Sequence, residues 1–130
     1  DSVKLARKIS NRAEALDKIF PILLEVNTTA EGQKHGFRPD QISEMLFCIA
    51  LPGVSVQGLM TLGPLTSNEN EIRSSFIQLR ELKDALNGKL EEKKIMELSM
   101  GMSSDFEIAV EEGATMVRLG TVLLGPRGNP

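Results

Sequence analysis

Tryptophan and tyrosine are absent from this chain of 130 residues, and aromatic residues make up only 4% of it. There is no row of rings on which single-stranded nucleic acid could stack. An excess of positive charge is missing too. The formal net charge is −3, which gives no general attraction for nucleic acid or for an anionic membrane surface. Cys48 is the single cysteine, so no internal disulfide forms, and this usage suits a reducing cytoplasm. It reads as a small buried apolar group on a helix. One histidine and one cysteine, distant in sequence, make no metal-ligand cluster. His35 has no carboxylate or nucleophile at a readable spacing, so it reads as a solvated loop histidine, and no catalytic triad is supported. No apolar run approaches the length of a membrane span, and the first residues lack the apolar core of a signal peptide. What is present is 41% hydrophobic and 25% charged residues. That composition fits one ordinary globular domain over residues 1–130 with a real core.

Hydrophobic spacing sets the element order. Val3, Leu5, Ala6, Ile9, Ala13 and Leu16 recur at helical intervals, which predicts a helix over 2–17 with Asp1 or Ser2 as its cap. Residues 21–27 form an almost continuous apolar run, as expected of a strand covered on both faces. Glu25 interrupts it, and its carboxylate needs a partner or a water-filled barrel interior. A loop with Gly32 and Gly36 follows. Pro39-Asp40 opens a second helix to about Ala50, and Val54–Thr61 reads as the next strand. Gly58 inside that strand implies close approach of another backbone or a ligand. Thr66-x-x-Glu69 has the pattern of a capping box for a third helix that ends at Asn87-Gly88. Lys89–Lys94 is a solvated connector. Ile95–Ser99 is the third strand, Ser104–Glu112 the fourth helix and Thr115–Thr121 the fourth strand. The tail after Gly125 cannot continue regular structure.

Strict strand–helix alternation with short connections implies parallel strands and right-handed crossovers. Four strands make either a small open sheet or one half of a barrel. A closed (β/α)8 barrel takes about 250 residues, so this chain alone does not close one.

Two segments carry candidate chemistry. Ser99-Met100-Gly101-Met102-Ser103-Ser104-Asp105 follows an apolar run and leads into Ser104-x-x-Glu107, a capping-box pattern that would leave first-turn amides pointing outward. Such amides with serine hydroxyls beside them suit a phosphate or another dianion. Gly120-Thr121, at the end of the next predicted strand, offers a second set of donors. The expectation is one phosphate held between two adjacent strand ends. Ser103 also serves simply as a helix cap, and the two roles are compatible. Arg118 precedes Gly120 by two residues on the same strand face. It either faces inward, where a guanidinium needs a partner, or makes a surface ion pair with Glu111 or Glu112. Its apolar neighbours favour the inward reading. Met60, Met100 and Met102 read as packing residues, and Asn27 as a strand-end cap or a residue of the barrel mouth.

The segments LLEVNTTAEGQKHGF (23–37), VQGLMTLGPLT (56–66), ELSMGMSSDFEIAVEEGATMVRLGT (97–121) and the following LLGPR resemble the YggS/PROSC-type pyridoxal 5′-phosphate homeostasis proteins. The pattern SMGMS-x-D-F-E-x-A…G-A-T-x-V-R-x-G-T is long and specific. That family is similar in fold to the barrel domain of alanine racemase. The resemblance implies parallel (β/α) units forming the C-terminal half of a TIM-type (β/α)8 barrel. It implies pyridoxal phosphate as the cofactor and vitamin B6 homeostasis in the cytoplasm rather than established turnover. It implies Ser99 and Ser103 as phosphate hydroxyl donors, Gly120 and Thr121 as backbone and hydroxyl donors to the same phosphate, and Arg118 beside the pyridine nitrogen. In the family a lysine on the first barrel strand forms the Schiff base. Lys4, Lys8, Lys18, Lys34, Lys83, Lys89, Lys93 and Lys94 fall on predicted helices or loops, so no lysine is carried over and the cofactor is expected to bind without a covalent link. An unpaired strand at each end of a half-barrel favours self-association. The competing expectations are a pyridoxal-dependent racemase-like enzyme and a barrel for another phosphorylated metabolite.

Overall fold

The computed structural model describes residues 1–29, 35–126 and 128. Four parallel strands form one sheet in the order β1-β2-β3-β4. They are β1 (Phe20–Glu25), β2 (Val54–Met60), β3 (Glu97–Met102) and β4 (Met116–Arg118). Helices α1 (Val3–Ala15), α2 (Ile42–Ile49), α3 (Glu69–Asn87), α4 (Phe106–Glu111) and α5 (Thr121–Leu124) complete the described chain. Strand order follows chain order without reversal. Each right-handed crossover therefore steps the same way and leaves its helix on the same side. Of the two expected architectures, a small open sheet and half a barrel, this sequential order with helices on one side is that of half a TIM-type barrel. Residues of α1 to α4 share a single core with the strands, built around Leu24, Val56, Leu59, Leu98, Met45 and Phe76. Cys48 is fully buried in it, as expected.

Local chemistry moved several boundaries. Ser2 Oγ caps α1 by accepting from Leu5 N at 3.2 Å. The cap of α3 is Asn68 rather than the expected Thr66. Its side chain accepts from Asn70 N and Glu71 N, while Thr66 Oγ1 accepts from Asn68 N. The third strand begins at Glu97, not Ile95, because the Asn87 amide group takes both the N–H and the carbonyl of Ile95 at 2.8 Å. The fourth strand is only three residues long. Before it, the Thr115 hydroxyl takes the place of a ladder group by accepting from Leu98 N at 2.8 Å. After it, Gly120 becomes the cap of α5, a helix absent from the sequence expectation.

Gly58 has the reason anticipated for it. β2 bulges there, since Ile22 pairs with Val56 and Leu23 with Gly58. A Cβ on Gly58 would lie 1.9 Å from the Glu97 carbonyl oxygen. No β-branched or even methyl-bearing residue fits a backbone approach that close.

Candidate functional site

Alternation along the strands sends neighbouring side chains to opposite faces. Leu59, Leu98 and Met100 go to the helix side and are buried. Met60 pairs with Ser99, and Ser99 with Met116. Residues in register on adjacent strands share a face, so Met60, Ser99, Met116 and, two further on, Arg118 belong to the open face. Glu25 lies on that face too, half-buried between the buried Leu24 and Val26. Of its two expected settings, a partner or the barrel interior, this position on the open face corresponds to the second.

At the C-terminal ends of β3 and β4 the two candidate segments meet. Gly120 N donates to Ser103 Oγ at 3.2 Å. Among the described residues, Met102, Ser103, Ser104, Arg118, Gly120, Thr121, Leu124 and Gly125 line one cleft of about 550 Å³. Ser103, Arg118, Gly120 and Thr121 are thus brought together. Ser99 is buried within β3 on the same face and is not among the described residues lining the cleft.

The turn that shapes this cleft differs from the expected capping box. Helix α4 starts at Phe106, and its cap position is Asp105, whose side chain makes no cap hydrogen bond. Met102 and Asp105 instead close the turn reciprocally: Asp105 N donates to the Met102 carbonyl at 3.1 Å, and Met102 N donates to Asp105 Oδ1 at 2.7 Å. The Met102 amide is consumed by a carboxylate, and Ser103 and Ser104 are left at the tip of the turn. Gly101 makes the bend possible. Its φ is +103°, and a Cβ there would lie 2.6 Å from Ala109 Cβ, so both conformation and space require glycine. The signal for Asp105 was present in the sequence as the residue just before the α4 apolar pattern, a position where Asp is common for reasons of hydrogen bonding.

Arg118 faces inward. It reaches from β4 across β3 to the end of β2, where Nη2 donates to the Thr61 carbonyl at 2.6 Å and Nη1 lies 3.7 Å from Met60 Sδ. Its Nε is buried and, among the described residues, has no hydrogen-bond partner. A buried donor left in that state is costly unless an acceptor completes it. The alternative partners for Arg118 are engaged elsewhere. Glu111 pairs with Arg73, and Glu112 with both Arg73 and Arg80. Those arginines hold the Glu112 carboxyl below its ordinary pKa, chiefly through the Arg80 hydrogen bond.

Asn27 serves as a local cap, its Oδ1 accepting from Thr29 N at 3.0 Å and Thr29 Oγ1 at 2.8 Å. His35 is exposed. Lys34 lies outside the described residues. Among the described residues, no lysine stands at the C-terminal end of a strand, no group of His, Cys, Asp and Glu could hold a metal ion, and no helix is long and apolar enough to cross a membrane.

The donor set fits a phosphorylated heteroaromatic ring. The hydroxyls of Ser103, Ser104 and Thr121 line the same cleft as Arg118, whose buried Nε has no partner among the described residues. Comparison with known proteins points the same way. The model of the alanine racemase N-terminal domain family matches residues 1–128. The pyridoxal phosphate homeostasis protein of Aquifex aeolicus (strain VF5) is 43% identical over 128 residues, which covers 98% of this chain and 56% of that protein. The structure of PipY from Synechococcus elongatus PCC7942 with PLP bound superposes with a TM-score of 0.84 at 34% identity, covering 96% of this chain and 58% of that one. An alanine racemase from Clostridium difficile 630, in complex with cycloserine, shares the fold with a TM-score of 0.81 at 18% identity, over 98% of this chain and 35% of its own. The chain spans little more than half the length of the homeostasis protein and of PipY. It belongs to the family of the alanine racemase N-terminal domain, with the YggS/PROSC-type pyridoxal phosphate homeostasis proteins as its relatives.

Proposed function

We propose that this family member binds pyridoxal 5′-phosphate non-covalently, as the phosphate and ring-nitrogen side of a vitamin B6 homeostasis protein working in the cytoplasm. The observation that carries the proposal is the Arg118 guanidinium, anchored on the Thr61 carbonyl with its Nε buried and uncompleted, on the wall of the cleft that Ser103, Gly120 and Thr121 share. Ser103 Oγ, the Thr121 amide and the Thr121 hydroxyl would hold the phosphate, and the Gly120 amide would turn to it from Ser103 Oγ, its partner in the structure. Ser99, on the same sheet face but not lining the cleft, would add a hydroxyl from within β3. Arg118 would donate to the pyridine nitrogen.

Bound pyridoxal phosphate supplies a reactive aldehyde and an electron-withdrawing ring. Arg118 would moderate the second property. A guanidinium is a donor that does not give up its proton in proteins, so Arg118 would donate a hydrogen bond to the ring nitrogen without protonating it. That favours holding and delivering the cofactor over carbanion chemistry. The racemase reading requires acid/base groups on both sides of the substrate, and incubation with L-alanine followed by optical rotation separates it from the carrier reading. The outer strands β1 and β4 offer edges for self-association, measurable by sedimentation.

The test is a titration with pyridoxal phosphate, followed by absorbance, with inorganic phosphate as competitor and borohydride as trap. Saturable binding that phosphate displaces, with no stoichiometric attachment to any one lysine, is expected. Binding indifferent to phosphate sinks the assignment, and quantitative trapping on a single lysine overturns the non-covalent half-site.

A further inference from the structure

We infer that Thr61 is a positioning residue, and that a buried chain of hydroxyls from α3 sets the direction in which Arg118 presents its Nε. The inference rests on the proposed cofactor site for its purpose, but not for its geometry.

Thr61 follows β2 directly and is 1% exposed. Each of its polar groups is tied to a different part of the fold. Its N–H donates to the Ser99 carbonyl on β3 at 3.1 Å. Its carbonyl accepts from Arg118 Nη2 on β4 at 2.6 Å. Its hydroxyl is 2.8 Å from that of Thr28, just past β1, and the Thr28 hydroxyl also bonds Ser75 Oγ on α3. Thr28 and Ser75 are buried as well.

Three hydroxyls buried together and bonded to each other cost little, but one removed leaves its neighbours short of a partner. Among the described residues, the bond from Thr61 N–H to the Ser99 carbonyl is the last ladder bond at this end of β2, one peptide short of the Thr61 carbonyl. The side chain of Thr61, held from the helix side of the sheet, fixes that next peptide instead. That carbonyl in turn is the one oxygen anchoring Arg118 among its described contacts. With Nη2 on that carbonyl and Nη1 beside Met60 Sδ, the guanidinium is held at two points while Nε is buried without a partner among the described residues. A chain of bonds therefore runs from α3, through the sheet, to the arginine on its open face. Its role is to keep the Arg118 donor aimed where the pyridine nitrogen is proposed to lie.

The test uses this chain with 15N-labelled arginine, and the variants Thr61→Val, Thr61→Ser and Ser75→Ala. Valine keeps the volume and removes the hydroxyl. Serine keeps the hydroxyl. The first readout needs no cofactor: the rate at which the Arg118 Nε proton exchanges with water. It should rise about tenfold in Thr61→Val, stay close to wild type in Thr61→Ser, and rise about threefold in Ser75→Ala. The second readout is affinity for pyridoxine 5′-phosphate, which has the ring and the phosphate but no aldehyde. It should fall about fivefold in Thr61→Val, while affinity for inorganic phosphate is unchanged. Should Thr61→Val fail to fold, Ser75→Ala decides. An Arg118 exchange rate unchanged in the folded variants overturns the positioning role. Equal losses for pyridoxine 5′-phosphate and inorganic phosphate overturn it as well, because a general loosening would produce them. A wild-type chain that takes up no pyridoxine 5′-phosphate defeats the cofactor proposal alone, and the exchange rates then decide the role of Thr61 by themselves.

Discussion

The two faces of the sheet are built on opposite rules. Toward the helices, Leu24, Val56, Leu59, Leu98 and Met100 are each at most 3% exposed and meet Phe76, Leu79 and Leu86 of α3 in one core. On the open face, polar side chains satisfy each other. Gln57 Nε2 donates to Ser55 Oγ at 2.6 Å, and Lys93 Nζ donates to the same oxygen. One face is held by area removed from water, which is non-directional. The other is held by directional bonds, which fix where individual donors point. The first face determines that the chain folds. The second carries the proposed recognition, and among the described residues it is the one on which the buried Arg118 Nε has no partner.

Substitutions should separate the two. Phe76 is fully buried at the centre of the helix-side core. Phe76→Ala should cost about 4 kcal/mol of stability, read from the urea midpoint, with the fold-dependent properties of both faces lost together. A cost below that of an exposed substitution would mean that this face is not the one supporting the fold. Gly58→Ala comes next, at about 3 kcal/mol, because the added methyl meets the Glu97 backbone rather than a side chain that could turn away. Near-normal stability of that variant would show that β2 and β3 can part without penalty.

The open face should behave in the reverse way. Arg118→Gln removes the guanidinium and its bond to Thr61. It should shift the urea midpoint little and reduce affinity for pyridoxal phosphate about tenfold. Ser103→Ala should cost about threefold, and equally for pyridoxal phosphate and inorganic phosphate. If Arg118→Gln weakens both ligands alike, the arginine serves the phosphate rather than the ring, and the proposed orientation of the cofactor is reversed.

The same contrast explains what could be read from residues alone. Helices and strands of the covered face announce themselves by periodicity, so α1, α3, β1 and β2 fall within a few residues of expectation. Gly58 was legible because an interior glycine has few reasons to exist. Where side chains replace backbone bonds, periodicity is silent. Asn87 capturing Ile95 delayed β3, Thr115 and Gly120 shortened β4, and Asp105 bonding Met102 displaced the start of α4. The serine, glycine and threonine residues of the cleft were visible as a pattern, and the structure draws Ser103 and Gly120 together. The hydroxyl chain through Thr28, Thr61 and Ser75 was not, because three residues from three elements share no sequence spacing.

The smallest expected effect belongs to the covered side and concerns the residues weighed as partners for Arg118. Glu112 sits between Arg73 and Arg80 and joins α4 to α3. Hydrogen bonding from Arg80, then from Arg73, lowers its pKa in the folded chain. A carboxyl whose folded pKa is depressed lends stability above its unfolded pKa, and that stability disappears as pH falls through the folded value. The wild type should therefore exceed Glu112→Gln in stability at neutral pH by a small margin, as for other solvent-screened pairs. The two urea midpoints should converge below the ordinary carboxylate range. Exchange at the Arg118 Nε should be the same in both proteins, because Glu112 holds the helix layer and not the open face. A change at Arg118 would mean that the ion pairs outside the sheet also steer the donor inside it, and the separation of the two faces would fail.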